Sequence, residues 1–181
     1  MQNHDTPLRT LCRGARRLRY ALNMTAPADS LHEEDFYAWT QLQADLLRRL
    51  PPIGNSFDAE NVAEEIEDLG RSELRAAQSL CEHIIEHFLK LEYSGLDDPA
   101  EHWRDEIVEW RLQLEKTLTR SIETKLDLPA RYQAAIRLVR RLERDVPGLT
   151  RRLPTFCPYT LGQIANGGDA DWFPPPRDQA P

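Results

Sequence analysis

Residues 58–93 read DAENVAEEIEDLGRSELRAAQSLCEHIIEHFLKLEY. Val62, Ile66, Leu69, Ala77, Leu80, Ile84, Phe88 and Leu91 recur at the helical period and fall within about 100° of arc, the width of one core-facing face. Gly70 interrupts the run at a cost of about 1 kcal/mol relative to alanine. A C-cap there, with Ser72 opening a separate helix, is the alternative. The stripe keeps its azimuth across Gly70, which favours one helix of about 35 residues, roughly 52 Å long at 1.5 Å per residue.

The same period continues on both sides, and no sustained alternation of apolar and polar residues occurs. Ser30-Leu31-His32-Glu33 has capping-box spacing and predicts a helix to about Leu50, ended by Pro51-Pro52, with Phe36, Trp39, Leu46, Leu47 and Leu50 inward. Beyond a turn at Gly95 to Pro99, Trp103, Ile107, Trp110, Leu114 and Leu118 predict a third helix. Asp127 as cap and Pro129 near the first helical position announce a fourth, carrying Tyr132, Ala135, Ile136, Val139 and Leu142 and stopped at Pro147-Gly148. The expected fold is therefore all-α: an antiparallel bundle of about four helices with a long second helix, over residues 30–146.

The chain has 181 residues, 40% hydrophobic and 29% charged, with a net charge of -7. Those values exclude a wholly disordered chain, and no stretch supplies the roughly 20 apolar residues of a membrane helix. Cys12, Cys81 and Cys157 are scattered and odd in number, which fits a cytoplasmic location and excludes thiolate zinc pairs. Arginine outnumbers lysine 20 to 3, as in a GC-rich bacterial coding sequence. The charge is uneven: residues 1–24 carry five arginines (Arg9, Arg13, Arg16, Arg17 and Arg19) against Asp5, a net +4 that leaves -11 for the rest. Residues 1–29 read as a disordered basic leader. Met24-Thr25-Ala26-Pro27 resembles a natural start, so an over-extended reading frame before Met24 is the first explanation, a true tail the second and a functional basic arm the third. Residues 147–181 hold seven prolines and Gly167-Gly168, which predicts an extended C-terminal arm with one short helix around Thr160 to Ala165.

Some polar residues fall on the apolar arcs. Glu73 and His87 lie inside that of the second helix, with Glu65 and His83 on its flank, and Gln43 lies inside that of the first helix. Removing such groups from water costs several kcal/mol unless they are hydrogen-bonded, so a satisfied buried network is expected before a ligand pocket or plain exposure. His83-Ile84-Ile85-Glu86-His87 also matches the H-x-x-E-H string, in which histidines one turn apart can bind a metal. Glu106 and Glu109 are the only third ligands to suggest themselves, and neither is marked by spacing.

Four segments carry a family resemblance. They are Asp35-Phe36-Tyr37-Ala38-Trp39-Thr40-Gln41, the run Glu60 to Glu73, His87-Phe88-Leu89-Lys90 and Cys157-Pro158-Tyr159-Thr160-Leu161-Gly162-Gln163-Ile164. Their order and spacing resemble the bacterial domain-of-unknown-function family 29 over about residues 33–174. The resemblance implies an all-helical fold and names no activity. The chain departs from the family pattern at Leu91, where tryptophan is usual, and at Asp97, Asp98 and Glu101, which make acidic a turn that is usually arginine-rich.

No catalytic or cofactor signature stands out, so no cofactor and no enzymatic activity are expected. The leading expectation is a cytoplasmic helical interaction module, binding a protein partner or a second copy through an apolar helix face or its proline-rich arm, where Trp172-Phe173-Pro174 is an apolar anchor. The alternatives are a metal-binding or hydrolytic protein using His83, His87 and a nearby glutamate, and an antitoxin-like regulator binding nucleic acid through the basic leader. An acidic body makes nucleic acid the less favoured partner.

Overall fold

Gly70 does not end the helix. In the computed structural model, which describes residues 28–51, 57–165 and 172–177, the chain runs as one helix from Ala59 to Tyr93. This is α3 of a wholly helical set: α1 (Ala28–Glu34), α2 (Phe36–Arg48), α3, α4 (Ala100–Thr117), α5 (Arg120–Lys125), α6 (Leu128–Val139), α7 (Leu149–Arg152) and α8 (Leu161–Ala165), with a 3-10 turn at Arg140–Arg144. No strand occurs among the described residues. Gly70 is required because α2 crosses there. A β-carbon at position 70 would stand 2.1 Å from Thr40 Oγ1, whose hydroxyl is buried and donates to the Tyr37 carbonyl at 2.8 Å.

The expected first helix is two. Asp35 takes extended backbone (φ -149°, ψ 80°) between α1 and α2, so the capping box at Ser30 does not start the helix that packs on α3. One Asp35 carboxylate oxygen accepts from Ala38 N–H at 3.0 Å, and the other accepts from Ser121 N–H at 3.0 Å. Against a desolvation that would raise it, these bonds and one from Thr119 hold the carboxyl below its ordinary pKa. A side chain thus caps α2 and ties it to α5, 86 residues on in sequence, a contact that no local pattern foreshadows.

The long α3 is the axis of the core. Its distal half packs against α4 and α6, burying Ala77, Cys81, Ile84, Ile85, Phe88 and Leu89 completely against Ile107, Leu114, Tyr132, Ala135 and Val139. Asp127 caps α6 through Ala130 N–H, with Pro129 in its first turn. Beyond the 3-10 turn, Gly148 adopts a left-handed φ of 80°, reversing the chain into α7. Among the described residues, the proximal half of α3 packs against α2, through Ala63 and Gly70. Length explains this, since an 18-residue α4 spans about 27 Å and α3 about 52 Å at 1.5 Å per residue.

Candidate functional site

His87 is 5% exposed on the distal half of α3, where α4 brings two tryptophans around it. Trp110 meets its ring edge to face at 4.7 Å and Trp103 at 6.3 Å. His87 Nδ1 lies 3.0 Å from the His83 carbonyl, and Nε2 lies 2.9 Å from Glu106 Oε2 and 3.4 Å from Lys90 Nζ. Lys90 is paired with Glu86 at 2.8 Å and lies over the Trp103 ring, while His83 contacts Glu86 at 3.5 Å and packs on Trp110. Both His87 nitrogens therefore face oxygen acceptors. The neutral ring is satisfied with Nδ1–H donating to the His83 carbonyl and Nε2 accepting from Lys90, whereas the cation would donate to both oxygens.

Burial opposes that cation, and so does the Lys90 ammonium; together they outweigh Glu86 and Glu106 and hold the His87 pKa below 6.5. The sign follows directly. The unfolded chain binds the proton first as pH falls below 6.5, so His87 favours the folded state fully above 6.5 and progressively less below it. Wild-type thermal stability is expected to drop between pH 7 and 5 by more than that of His87→Asn, measured in parallel melts. An equal drop in both contradicts this assignment.

The sequence-predicted residues do not converge on one site. His83 and His87 share a face one turn apart, but both nitrogens of His87 are engaged within the chain. No group of three His, Cys, Asp or Glu side chains able to hold a metal occurs among the described residues. Gln43 is half-buried; the orphaned amide on α2 is that of Gln41, whose Nε2 is buried without a hydrogen-bond partner. Glu65 and Glu73 are exposed, which corrects the expectation that they are buried. The basic leader lies outside the described residues.

The reason for that correction is the most informative feature of the surface. Eighteen residues make five helical turns, so Val62, Ile66, Leu69 and Glu73 share their azimuths with Leu80, Ile84, His87 and Leu91 respectively. The distal members are covered by α4: Ile84 is 0% and Leu91 7% exposed. The proximal members lie beyond α4: Val62 is 39% and Leu69 55% exposed, Glu73 is exposed and Ile66 is half-buried. Leu42 and Leu46, one turn apart along α2, and Leu50 just beyond its end are exposed as well.

The segment from Leu31 to Phe173 matches the family described as "Domain of unknown function DUF29", with residues 31–173 aligned. The chain belongs to that family. A solved structure with a TM-score of 0.69 and 28% identity covers 77% of this chain and 91% of its own; it is an α-helical protein of unknown function from Rhodospirillum rubrum. No curated protein matches significantly. This DUF29 chain thus shares its all-helical fold with a protein of unknown function.

In this DUF29 domain, sequence reasoning passed over a buried polar centre. Arg111 of α4 is 5% exposed, and its described partners are carbonyls. Its guanidinium donates to three carbonyls, Gln163 at 2.6 Å, Trp172 at 3.0 Å and Ile164 at 3.2 Å, and lies over the rings of Phe88 and Phe173. It closes the C-terminal end of α8 and pins residues 172–177 across the bundle. A second latch holds that strap: Arg177 Nε donates to Glu92 Oε1 at 2.6 Å and its backbone N–H to the Glu92 carbonyl at 2.9 Å, while Tyr159 donates to Glu92 Oε2 at 2.7 Å. The Trp172-Phe173 anchor is therefore spent within the chain, Trp172 packing edge-on to Phe88 at 5.5 Å.

Nothing reactive accompanies these contacts. Burial pushes the Cys81 thiol up to about 12 and also raises Cys157, whose thiol donates to the Tyr159 carbonyl. Neither described cysteine is poised as a nucleophile.

Proposed function

We propose that this chain is a non-catalytic, cytoplasmic interaction module, and that the bare proximal face of the α2–α3 pair binds an amphipathic helix with basic flanks. The observation that carries the reading is the five-turn correspondence: one stripe of α3 is dressed by α4 at its distal end and undressed from Val62 to Glu73. A helix laid there would continue α4's packing onto the same azimuth. The partner's charge follows from the rim. Residues 57–76 hold seven acidic and two basic side chains, net -5. Glu65 and Glu73 take no part in the ion pairs joining Arg48 to Glu60 and Glu67, and Arg71 to Glu67 and Asp68. The acidic rim is repelled by anionic lipid headgroups, so the face is read as one for protein.

A labelled 18-residue peptide with leucine at helical spacing and arginine elsewhere provides the test, titrated against the full chain by fluorescence anisotropy. Binding is expected in the micromolar range, weakened by salt, and at least tenfold weaker in the Val62→Glu/Leu69→Glu variant. Both positions are exposed, so that variant should fold normally by circular dichroism. Equal binding to variant and wild type, or none to either, overturns the reading.

A further inference from the structure

The bare face has a matching segment within the chain. Leu8, Leu11, Ala15, Leu18 and Leu22 follow one another at spacings of three, four, three and four, the pattern of an apolar helical seam. The facing positions on α3, Val62, Ile66, Leu69, Glu73 and Ala76, run at four, three, four and three. Each set spans 15 residues, about 21 Å as helix. Charge is complementary too: residues 1–24 are net +4, with all five arginines between Arg9 and Arg19, against the net -5 of residues 57–76.

The chain also enters on the right side. Immediately before α2, His32 of α1 packs edge-on against Trp39 at 4.5 Å and Phe36 at 5.4 Å. Trp39 shares its side of α2 with the exposed Leu42 and Leu46, within about 60° of azimuth at 100° per residue. Five residues separate Leu22 from Ala28, a connection that spans up to about 20 Å when extended.

We propose that residues 8–22 dock in cis on the bare face of α2 and α3, so that the chain carries its own competitor for the partner site. This rests on the reading of that face as a helix-binding surface. It also gives residues 1–23 a role in the folded chain, where the sequence alone first suggested an over-extended reading frame. An intramolecular ligand is held at high effective concentration, so it covers the face even where its intrinsic affinity is weak, and an external helix must displace it.

Cys12 lies inside the segment and provides the test. In the full chain carrying Leu69→Cys and Cys157→Ser, a short bis-maleimide is expected to join Cys12 to the cysteine at position 69 within one chain, as read by peptide mass. The link should be lost when Leu11→Glu and Leu18→Glu are added, and this pair should also raise the affinity for the arginine-leucine peptide at least fivefold. A link formed only between two chains places a second copy on the face and overturns the proposal, as does no link. Peptide binding that Leu11→Glu/Leu18→Glu leaves unchanged, but Val62→Glu/Leu69→Glu abolishes, sinks the cis segment and leaves the face's function standing. Loss of peptide binding in every chain tested sinks both.

Discussion

Arg111→Ala is expected to destabilise the fold by about 3 to 5 kcal/mol, the largest effect of any single substitution considered. Three buried carbonyls lose a charged donor, and each orphaned acceptor costs about 1 to 3 kcal/mol, part of which water recovers once the strap lifts. The rings of Phe88 and Phe173 also lose the cation lying over them. Arg111→Lys should retrieve less than half of the loss, because one ammonium cannot reproduce a planar fork aimed at three oxygens. Two measurements separate global from local effects. Urea unfolding gives the total, and trypsin cleavage after Arg177 reports the strap, which Arg111 and Glu92 hydrogen-bond. Cleavage at the wild-type rate in Arg111→Ala would show that the guanidinium does not hold the strap.

Gly70→Ala is expected to cost about 2 to 3 kcal/mol, although alanine raises intrinsic helix propensity by about 1 kcal/mol. The sign is decided by the 2.1 Å approach to Thr40 Oγ1, a buried atom fixed to its own backbone and unable to swing away. The pair can be tested as a cycle. Thr40→Ala removes the clashing oxygen, so the double variant should recover to within about 1 kcal/mol of Thr40→Ala alone, a coupling visible only between residues in contact. A stabilised Gly70→Ala protein would mean that α2 does not cross at Gly70.

Much of this fold is legible in the sequence because it follows from local periodicity. The uninterrupted α3, the seam of Trp103, Ile107 and Leu114 and the cap at Asp127 each depend on residues within a few turns of one another. What was missed depends on partners distant in sequence. The Asp35 break is fixed by Ser121, and a helical wheel has no means of indicating it. The wheel also assumes cover along the whole of a stripe, and for that reason it buried Glu65 and Glu73, which lie beyond the reach of α4. Arg111 was only faintly marked, since it lies on the flank of the arc of Trp103, Ile107, Trp110 and Leu114, about 40° beyond Ile107 at 100° per residue. His87 was marked by the same wheel, whereas its partner Glu106 carried no signal beyond its type.

Hydrogen exchange on the chain carrying Leu11→Glu and Leu18→Glu, which frees the face, with and without the arginine-leucine peptide, tests the central claim that the proximal face of α3 is a binding surface. Amides of residues 80–92 should be strongly protected throughout, because α4 and α6 cover that half. Those of residues 62–76 should exchange faster in the free chain and gain at least tenfold protection when the peptide is added. Unchanged exchange over residues 62–76 at saturating peptide, with protection appearing elsewhere, would contradict the account.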